Sequence, residues 1–303
     1  MVVEIRSLHK SDPARVPGAR MDIVGIRIAT LSENTAGQPD VLAEWGLSFL
    51  IEADNASVLL DAGASISIGQ NADRLGIDLK KIDKIVLSHG HFDHTGGLPV
   101  LLNKIRREVQ VVAHPDIWQP KYMRREGKPD RFIGIASQRE ELESLGARFV
   151  LTTEPVKLSE NIMTTGEVPM TTDFEHIDTG LYIKTPGGWE ADRVLDDLAI
   201  LIKTASGLVV VLGCAHRGMI NTLRRAREVA GVQKIHMVLG GCHLKDAKDE
   251  QIWQAISALN EMGVQKLGLS HCTGMRALLL LAQTYGDDFI FNNTGNIIKL
   301  EQP

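Results

Sequence analysis

Ser88-His89-Gly90-His91-Phe92-Asp93-His94-Thr95-Gly96-Gly97 is the stretch of this chain that says most about its fold. It follows the apolar run Ile85–Leu87 and precedes a helical pattern that begins near Leu98. Three imidazoles and one carboxylate therefore occupy a glycine-punctuated loop between a strand and a helix. Imidazole and carboxylate groups suit zinc, iron or manganese, so the stretch predicts a metal-binding loop at a strand end.

The spacing of the potential ligands within this loop is compatible with two neighbouring metal sites. Residues two apart in an extended chain project to the same side, so His89 and His91 can share one metal. Asp93 and His94 then turn toward a neighbouring site. The alternative is a set of turn residues without metal, which requires four potential ligands to fall within six positions by chance.

Short β-rich runs alternate with helical patterns around this loop. Apolar spacings of three and four residues predict helices at 98–105, 140–145 and 252–259. The first and last thirds are both strand-rich, which indicates an α/β protein with two similar halves, each a mixed sheet with helices outside. Residues 115–165 are the least regular part and are interpreted as an insertion over one edge. Strands are predicted at Ile23–Leu31, Ser48–Glu52, Val58–Leu60, Ile85–Leu87, Val109–Ala113, Leu181–Thr185, Leu198–Lys203, Leu208–Leu212, Ile235–Leu239, Lys266–Leu269 and Phe289–Phe291.

Composition places the chain among ordinary globular proteins. It has 303 residues, of which 44% are hydrophobic and 23% charged, and no apolar run approaches the roughly 20 residues of a membrane span. The net charge of −5 does not favour nucleic acid. Residues 1–21 lack the apolar core of a secretory signal and are interpreted as an N-terminal extension. With only three cysteines, Cys214, Cys242 and Cys272, we expect a reducing, cytoplasmic environment.

With its flanking motifs, the His-X-His-X-Asp-His loop resembles the signature of the metallo-β-lactamase superfamily. The likeness covers roughly residues 22–300 and is strongest to the branch of the dihydropterin–ribofuranosylaminobenzene phosphate synthases and their uncharacterised bacterial relatives. It implies a four-layer αββα sandwich over residues 22–303, with two mixed sheets face to face and helices outside. The motifs that carry it are Asn34-Thr35-Ala36, Gly46-Leu47-Ser48-Phe49-Leu50-Ile51-Glu52, Leu60-Asp61-Ala62-Gly63, Gly213-Cys214-Ala215-His216-Arg217-Gly218 and Ser270-His271-Cys272-Thr273-Gly274.

The resemblance implies ligands beyond the loop. His271, after the strand at 266–269, would complete the second metal site. The strand at 208–212 runs into Cys214, where an aspartate is usual, so Cys214 is a candidate bridging thiolate; the alternative is a small buried residue. His216 is predicted to supply the imidazole that is missing ahead of Asp197, although it could also only shape its loop. Asp197 is an alternative ligand. Asp61 is implied to hold a ligand by hydrogen bonds, or to be a simple turn residue.

Two further sets of residues are candidates for chemistry. Asp93 and His243 are the catalytic candidates; His243 follows a strand as a histidine does in the tRNA-processing nucleases of the superfamily, and its alternative is a structural histidine. A basic segment with aromatic neighbours could bind a phosphorylated substrate, and the alternative is a solvated loop. Its basic residues are Lys121, Arg124, Arg125, Lys128 and Arg131, of which Arg124, Arg125 and Arg131 are the candidates for substrate binding.

Together these features predict an enzyme with two divalent metal ions, zinc first and iron or manganese as alternatives. Such a site fits a hydrolase or transferase that acts on a small anionic substrate. An iron-dependent oxidoreductase is the second hypothesis, and a non-catalytic metal scaffold is the third. Relatives in the implied branch often carry histidine at the position of Trp45, so a different substrate is expected if that residue contacts it.

Overall fold

Three β-sheets and seven α-helices organise residues 25–53 and 55–301, which this computed structural model describes. The strands are β1 (Ile26–Ser32), β2 (Ser48–Ala53), β3 (Ala56–Leu60), β4 (Lys84–Val86), β5 (Val109–Ala113), β6 (Lys121–Met123), β7 (Arg131–Phe132), β8 (Ala147–Leu151), β9 (Ile162–Thr164), β10 (Leu181–Thr185), β11 (Gly188–Ala191), β12 (Ala199–Thr204), β13 (Gly207–Leu212), β14 (Ile235–Gly240), β15 (Lys266–Leu269) and β16 (Ile297–Leu300). The helices are α1 (Ser67–Arg74), α2 (Phe92–Thr95), α3 (Leu98–Ile105), α4 (Arg139–Ser144), α5 (Met219–Ala230), α6 (Asp249–Glu261) and α7 (Met275–Tyr285).

Two large sheets pack against each other. The first has the order β16-β1-β2-β3-β4-β5-β8 and the second β15-β14-β13-β12-β9, while β11-β10-β6-β7 form a small separate sheet. One apolar layer, which includes Phe49 and Val211, lies between the large sheets. Two more layers join the sheets to helices, around Leu101 on one side and Leu223 on the other. These three apolar interfaces separate four layers of secondary structure, helices, sheet, sheet and helices, which confirms the αββα sandwich. No helix among the described residues is long and apolar enough to cross a membrane.

Parallel strands fix where the functional loops gather. In the first sheet β3, β4 and β5 run parallel, and in the second β13, β14 and β15 do the same. The carboxyl ends of parallel strands lie at one edge of a sheet, and ligands bind there in open α/β sheets. The loops that leave these strands therefore project from the sandwich at shared edges.

The structure corrects several expectations. Residues 115–165 are not irregular: they include β8, which pairs with β5, and β9, which pairs with β12. Both are edge strands: β8 has a mixed buried and exposed pattern and β9 has only three residues, so neither forms a clear apolar run. Residues 289–291 are not a strand, because only a single bridge joins Phe289 to Leu267. The proposed extension, residues 1–21, lies outside the described residues.

Candidate metal centre

The candidate ligands gather from five strand ends. The loop 88–94 follows β4, and Asp61, Cys214, His243 and His271 follow β3, β13, β14 and β15. Seven non-glycine residues of the described chain have positive φ, and four of them lie here: Asp61, Ala215, His243 and His271. Backbone strain of this kind persists where the surrounding structure over-determines it, typically at functional sites.

The first donor group consists of three buried imidazoles. His89 Nε2 lies 3.0 Å from His91 Nδ1 and 3.2 Å from His216 Nε2. A single ring nitrogen cannot donate to both neighbours, so a shared cation satisfies this arrangement better than hydrogen bonds do. Burial, and then the neighbouring histidines, lower the pKa of His89 and of His216 well below the usual value. Burial also lowers the pKa of His91 to about 3, so all three rings are neutral, the form that binds metal.

The second donor group combines two imidazoles with one carboxylate. Asp93 Oδ2 lies 3.5 Å from His271 Nε2, and His94 Nε2 lies 3.1 Å from Cys214 Sγ. His271 Nε2 is buried and has no hydrogen-bond partner within the described chain. Burial acts to raise the pKa of Asp93, but His94 and His271 outweigh it and hold the pKa below its usual range. The carboxylate is therefore ionised and available as a ligand.

Cys214 lies between the two groups. Its Sγ, with one ring nitrogen each of His89 and His216, forms a cluster whose atoms are all within 4.8 Å of one another. A second such cluster joins Cys214 to His94 and His271. Burial raises the pKa of the Cys214 thiol well above its usual value, whereas a coordinating metal would deprotonate it outright. The residues present thus fit two metal ions that share one sulfur ligand.

Hydrogen bonds hold three of these rings in place. Asp61 Oδ2 lies 2.6 Å from His94 Nδ1, Asn34 Oδ1 lies 2.9 Å from His271 Nδ1, and Ser88 Oγ lies 2.9 Å from His89 Nδ1. Each contact occupies the Nδ1 side and leaves Nε2 to face the centre, as in metal sites generally. Burial acts to lower the pKa of His94, but Asp61 and Asp93 outweigh it and raise the pKa to about 9. The sequence motifs contained Asn34 and Ser88 but offered no signal for their roles.

A buried ion-pair network supports the loop from its other side. Gly90 N donates to Asp196 Oδ2 at 2.7 Å, and a Cβ at Gly90 would come within 2.4 Å of the Ile117 carbonyl oxygen. Lys121 Nζ lies 2.9 Å from Asp196 and 3.0 Å from Asp192. Because Lys121 is completely buried in this network, its assignment to a substrate-binding basic segment is wrong.

Asp197 supports the adjacent loop and does not join either donor group. Its Oδ2 accepts a hydrogen bond from Arg217 N at 2.8 Å, which fixes the residue directly after His216. Within the described chain its carboxylate forms no hydrogen bond or ion pair with a residue of either donor group. Burial raises the pKa of Asp197 to about 7, even though the Arg217 amide acts to lower it.

His243 faces the first donor group from the rim. Its ring centroid lies 4.2 Å from that of His216, and its buried Nδ1 has no hydrogen-bond partner in the described residues. It also clusters with Cys214 and Cys272, so it is close enough either to bind metal or to contact a substrate. Trp45, 47% exposed, marks the opposite rim beside His271, with a ring separation of 5.4 Å.

The basic segment is mostly neutralised by acidic neighbours. Arg124 pairs with Asp130 at 2.9 Å and Arg125 with Asp178 at 3.0 Å. Arg131 has no carboxylate partner in the described chain, and its guanidinium lies 5.0 Å over the ring of Phe92, within the metal-binding loop. Of the three arginines, only Arg131 thus presents an uncompensated charge near the centre.

Comparison with known proteins gives consistent matches. The model of the metallo-beta-lactamase superfamily matches residues 46–188. The chain is 36% identical over 286 residues to the 7,8-dihydropterin-6-methyl-4-(beta-D-ribofuranosyl)-aminobenzene-5′-phosphate synthase of Methanocaldococcus jannaschii, covering 90% of this chain and 96% of the relative. An uncharacterized protein of the same organism is 32% identical, covering 90% of this chain and 100% of that protein.

A solved structure resembles the whole fold. The crystal structure of Tm1679, a metal-dependent hydrolase of the beta-lactamase superfamily, superposes with a TM-score of 0.78 at 28% identity. The match covers 91% of this chain and 100% of that one. The similarity to the two relatives of Methanocaldococcus jannaschii extends over nearly their full length, so it is not limited to the short histidine-rich motif.

Proposed function

This chain belongs to the metallo-β-lactamase superfamily, and on that premise we propose that it is a two-metal enzyme acting on a small phosphorylated substrate. The observation that carries the proposal is that Cys214 joins two donor groups, one of three histidines and one of Asp93, His94 and His271. A side chain within reach of both groups can hold two metals close together, as two-metal sites require. The oxidoreductase and scaffold hypotheses have no comparable observation in their favour.

We infer zinc as the preferred ion. Imidazole suits zinc, copper, iron and nickel, whereas manganese prefers oxygen ligands. The thiolate of Cys214 at the shared position is a soft ligand that favours zinc over manganese. Two such ions, when bound, would supply an activated water or hydroxide and stabilise charge on the attacking and leaving oxygens.

The reaction class follows from the named relative. We propose, as the first reaction to test, that the amine nitrogen of a ribofuranosylaminobenzene 5′-phosphate bonds to the methylene carbon of a dihydropterin-methyl phosphate or diphosphate ester. The ester C–O bond breaks, the phosphate or diphosphate leaves, and the amine loses a proton. Phosphoester hydrolysis is the alternative outcome. The exposed ring of Trp45, close to His271, offers a flat surface on which an aromatic ring can stack. Lys245 Nζ lies 5.2 Å from the Trp45 ring and adds positive charge to this rim.

His243 is the proposed proton donor. Its ring lies at the rim next to His216, and its Nδ1 has no hydrogen-bond partner within the described chain. Burial acts to lower the pKa of His243, but the neighbouring Cys272 outweighs it and raises the pKa, so the imidazole can hold a proton near neutral pH and donate it to a leaving group. Asp93 contributes as an ionised carboxylate beside His271.

The test is elemental analysis combined with turnover. Protein purified without chelator should contain about two zinc ions per chain and should lose activity when they are removed. His216→Ala should lose about one equivalent, because the first donor group would retain only two imidazoles. His236→Ala is the matched control: His236 is also buried, but it lies near the start of β14 and bonds Gln265 at 2.9 Å. Full activity in metal-free protein, or unchanged zinc content in His216→Ala, contradicts the proposal.

A further inference from the structure

An open cleft of about 620 Å³ lies beside the loop that carries His216. Its wall includes three arginines, Arg193, Arg217 and Arg225, and a single carboxylate, Glu167. The volume falls within the range of small-molecule sites, roughly 300–1,000 Å³. No reasoning from local sequence pattern identified it, because its residues come from separate loops and from α5.

The positive charge of this cleft is poorly compensated. Arg193 makes no side-chain hydrogen bond or ion pair within the described residues, and Arg217 makes no ion pair there with any carboxylate. The buried Arg217 guanidinium donates only to backbone carbonyl oxygens, those of Val168 and Arg193. The Glu167 carboxylate is directed to His114, at 2.8 Å. Asp197 and Glu167 attract the Arg217 guanidinium without forming an ion pair with it, so its charge is only partly compensated, and Arg193 has no carboxylate partner in the described chain. Because a buried cation with incomplete compensation is costly, the cleft favours an anionic ligand.

We propose that this cleft binds the phosphate monoester of the substrate, with Arg193 and Arg217 as its guanidinium partners. Arg225 has its own carboxylate partner, Glu228, at 3.1 Å, and Glu167 offsets part of the charge of the other two guanidinium groups, so the cleft keeps a net positive charge. A phosphate monoester carries a charge of about −1.5 to −2 near neutral pH and is attracted to such a site. Planar guanidinium groups also fit phosphate oxygens in bidentate geometry.

The remaining wall suits the organic part of such a ligand. Val168, Pro169, Met170 and Leu195 give the cleft an apolar side, and Met170 is 37% exposed. A thioether and a proline ring can pack against a sugar or an aromatic ring without a directional hydrogen bond. The inference rests on the proposed function only for the identity of the molecule that carries the phosphate.

The cleft and the metal centre are linked through one short loop. Arg217 directly follows His216, and Asp197 accepts its backbone N–H at 2.8 Å. A phosphate held by Arg217 would therefore contact the loop that carries His216.

Binding of phenyl phosphate to the zinc-loaded full chain tests the assignment directly. Isothermal titration should show that Arg193→Gln weakens binding about 10- to 100-fold at equal zinc content, the usual effect of losing a charge-assisted hydrogen bond. Arg148→Gln is the matched control, since Arg148 lies on β8 and pairs with Glu108. Benzoate, with a single negative charge, should bind more weakly than phenyl phosphate and respond less to Arg193→Gln.

Several results would overturn the assignment. One is unchanged phenyl phosphate affinity in Arg193→Gln; another is a loss confined to Arg131→Gln, which would return the phosphate to the basic segment. If the pterin reaction is absent but phenyl phosphate affinity still depends on Arg193, the proposed reaction fails and the cleft assignment stands. If turnover occurs and Arg193→Gln leaves its KM unchanged, the cleft assignment alone fails.

Discussion

Asp61→Asn tests how the second donor group is held. Asp61 is fully buried and has a φ of 60°, a conformation that asparagine tolerates, so the backbone should keep its course. The carboxylate accepts hydrogen bonds from Ser88 N and Ser88 Oγ, both at 2.7 Å, and contacts His94 Nδ1 at 2.6 Å. An amide has only one acceptor oxygen and cannot satisfy all three donors.

Either orientation of the new amide creates a conflict. With its oxygen toward Ser88 N, its NH₂ group faces His94 Nδ1 and forces the imidazole proton onto Nε2, the nitrogen that faces Cys214. In the reverse orientation the NH₂ group opposes the Ser88 N–H. Loss of such a supporting carboxylate typically lowers metal affinity about 10- to 100-fold, or about 1.4–2.7 kcal/mol.

Competition with a chromogenic chelator measures this loss. We expect one zinc equivalent to leave Asp61→Asn at about 10- to 100-fold lower chelator concentration than in the wild type, while the second equivalent changes less. Asp83→Asn is the control: Asp83 accepts a hydrogen bond from Ser57 N at 2.8 Å and precedes β4, at the strand end opposite the metal loop. Wild-type affinity for both equivalents in Asp61→Asn would refute the reasoning.

Three further changes test neighbouring parts of the site. His243→Ala should keep both zinc ions and lower kcat about 10²- to 10⁴-fold; loss of a zinc equivalent would instead make His243 a ligand. Burial raises the pKa of Asp197 to about 7 from an unfolded value of about 3.9, so the stability it contributes is full below about pH 4 and is lost as pH rises through about 7. Asp197→Asn should remove that dependence in thermal melts, and an unchanged pH profile would contradict it. Gly218→Ala should lower the free energy of unfolding in urea by about 2–4 kcal/mol, because φ there is 96° and a Cβ would lie 2.2 Å from the Glu175 carboxylate; an unchanged midpoint would count against this clash.

Local pattern predicted the elements whose signal is contained within a few residues. The helix at 98–105 agrees with α3, and the strands β5, β10 and β15 begin and end where predicted. The helix α3 is buried along one face and β5 and β15 are mostly buried, so their apolar signal is strong, whereas β10 is mostly half-exposed but keeps apolar residues at alternate positions. The helices α1, α2 and α5 were not predicted. The edge strand β8 was missed because half-exposed residues weaken the same signal, and β9 because it has only three residues.

The sequence by itself identified the candidate metal-binding loop, since the potential ligands at 89–94 lie within a few residues of one another and their chemistry needs no distant partner. Only the tertiary structure decided that Cys214 touches both donor groups and that Arg193 and Arg217 line one cleft. The order of strands in two separate sheets brings residues more than 100 positions apart within hydrogen-bonding distance, as for His94 and Cys214. Packing between sheets sets that proximity, and a periodicity that spans one strand or one helix carries no information about it.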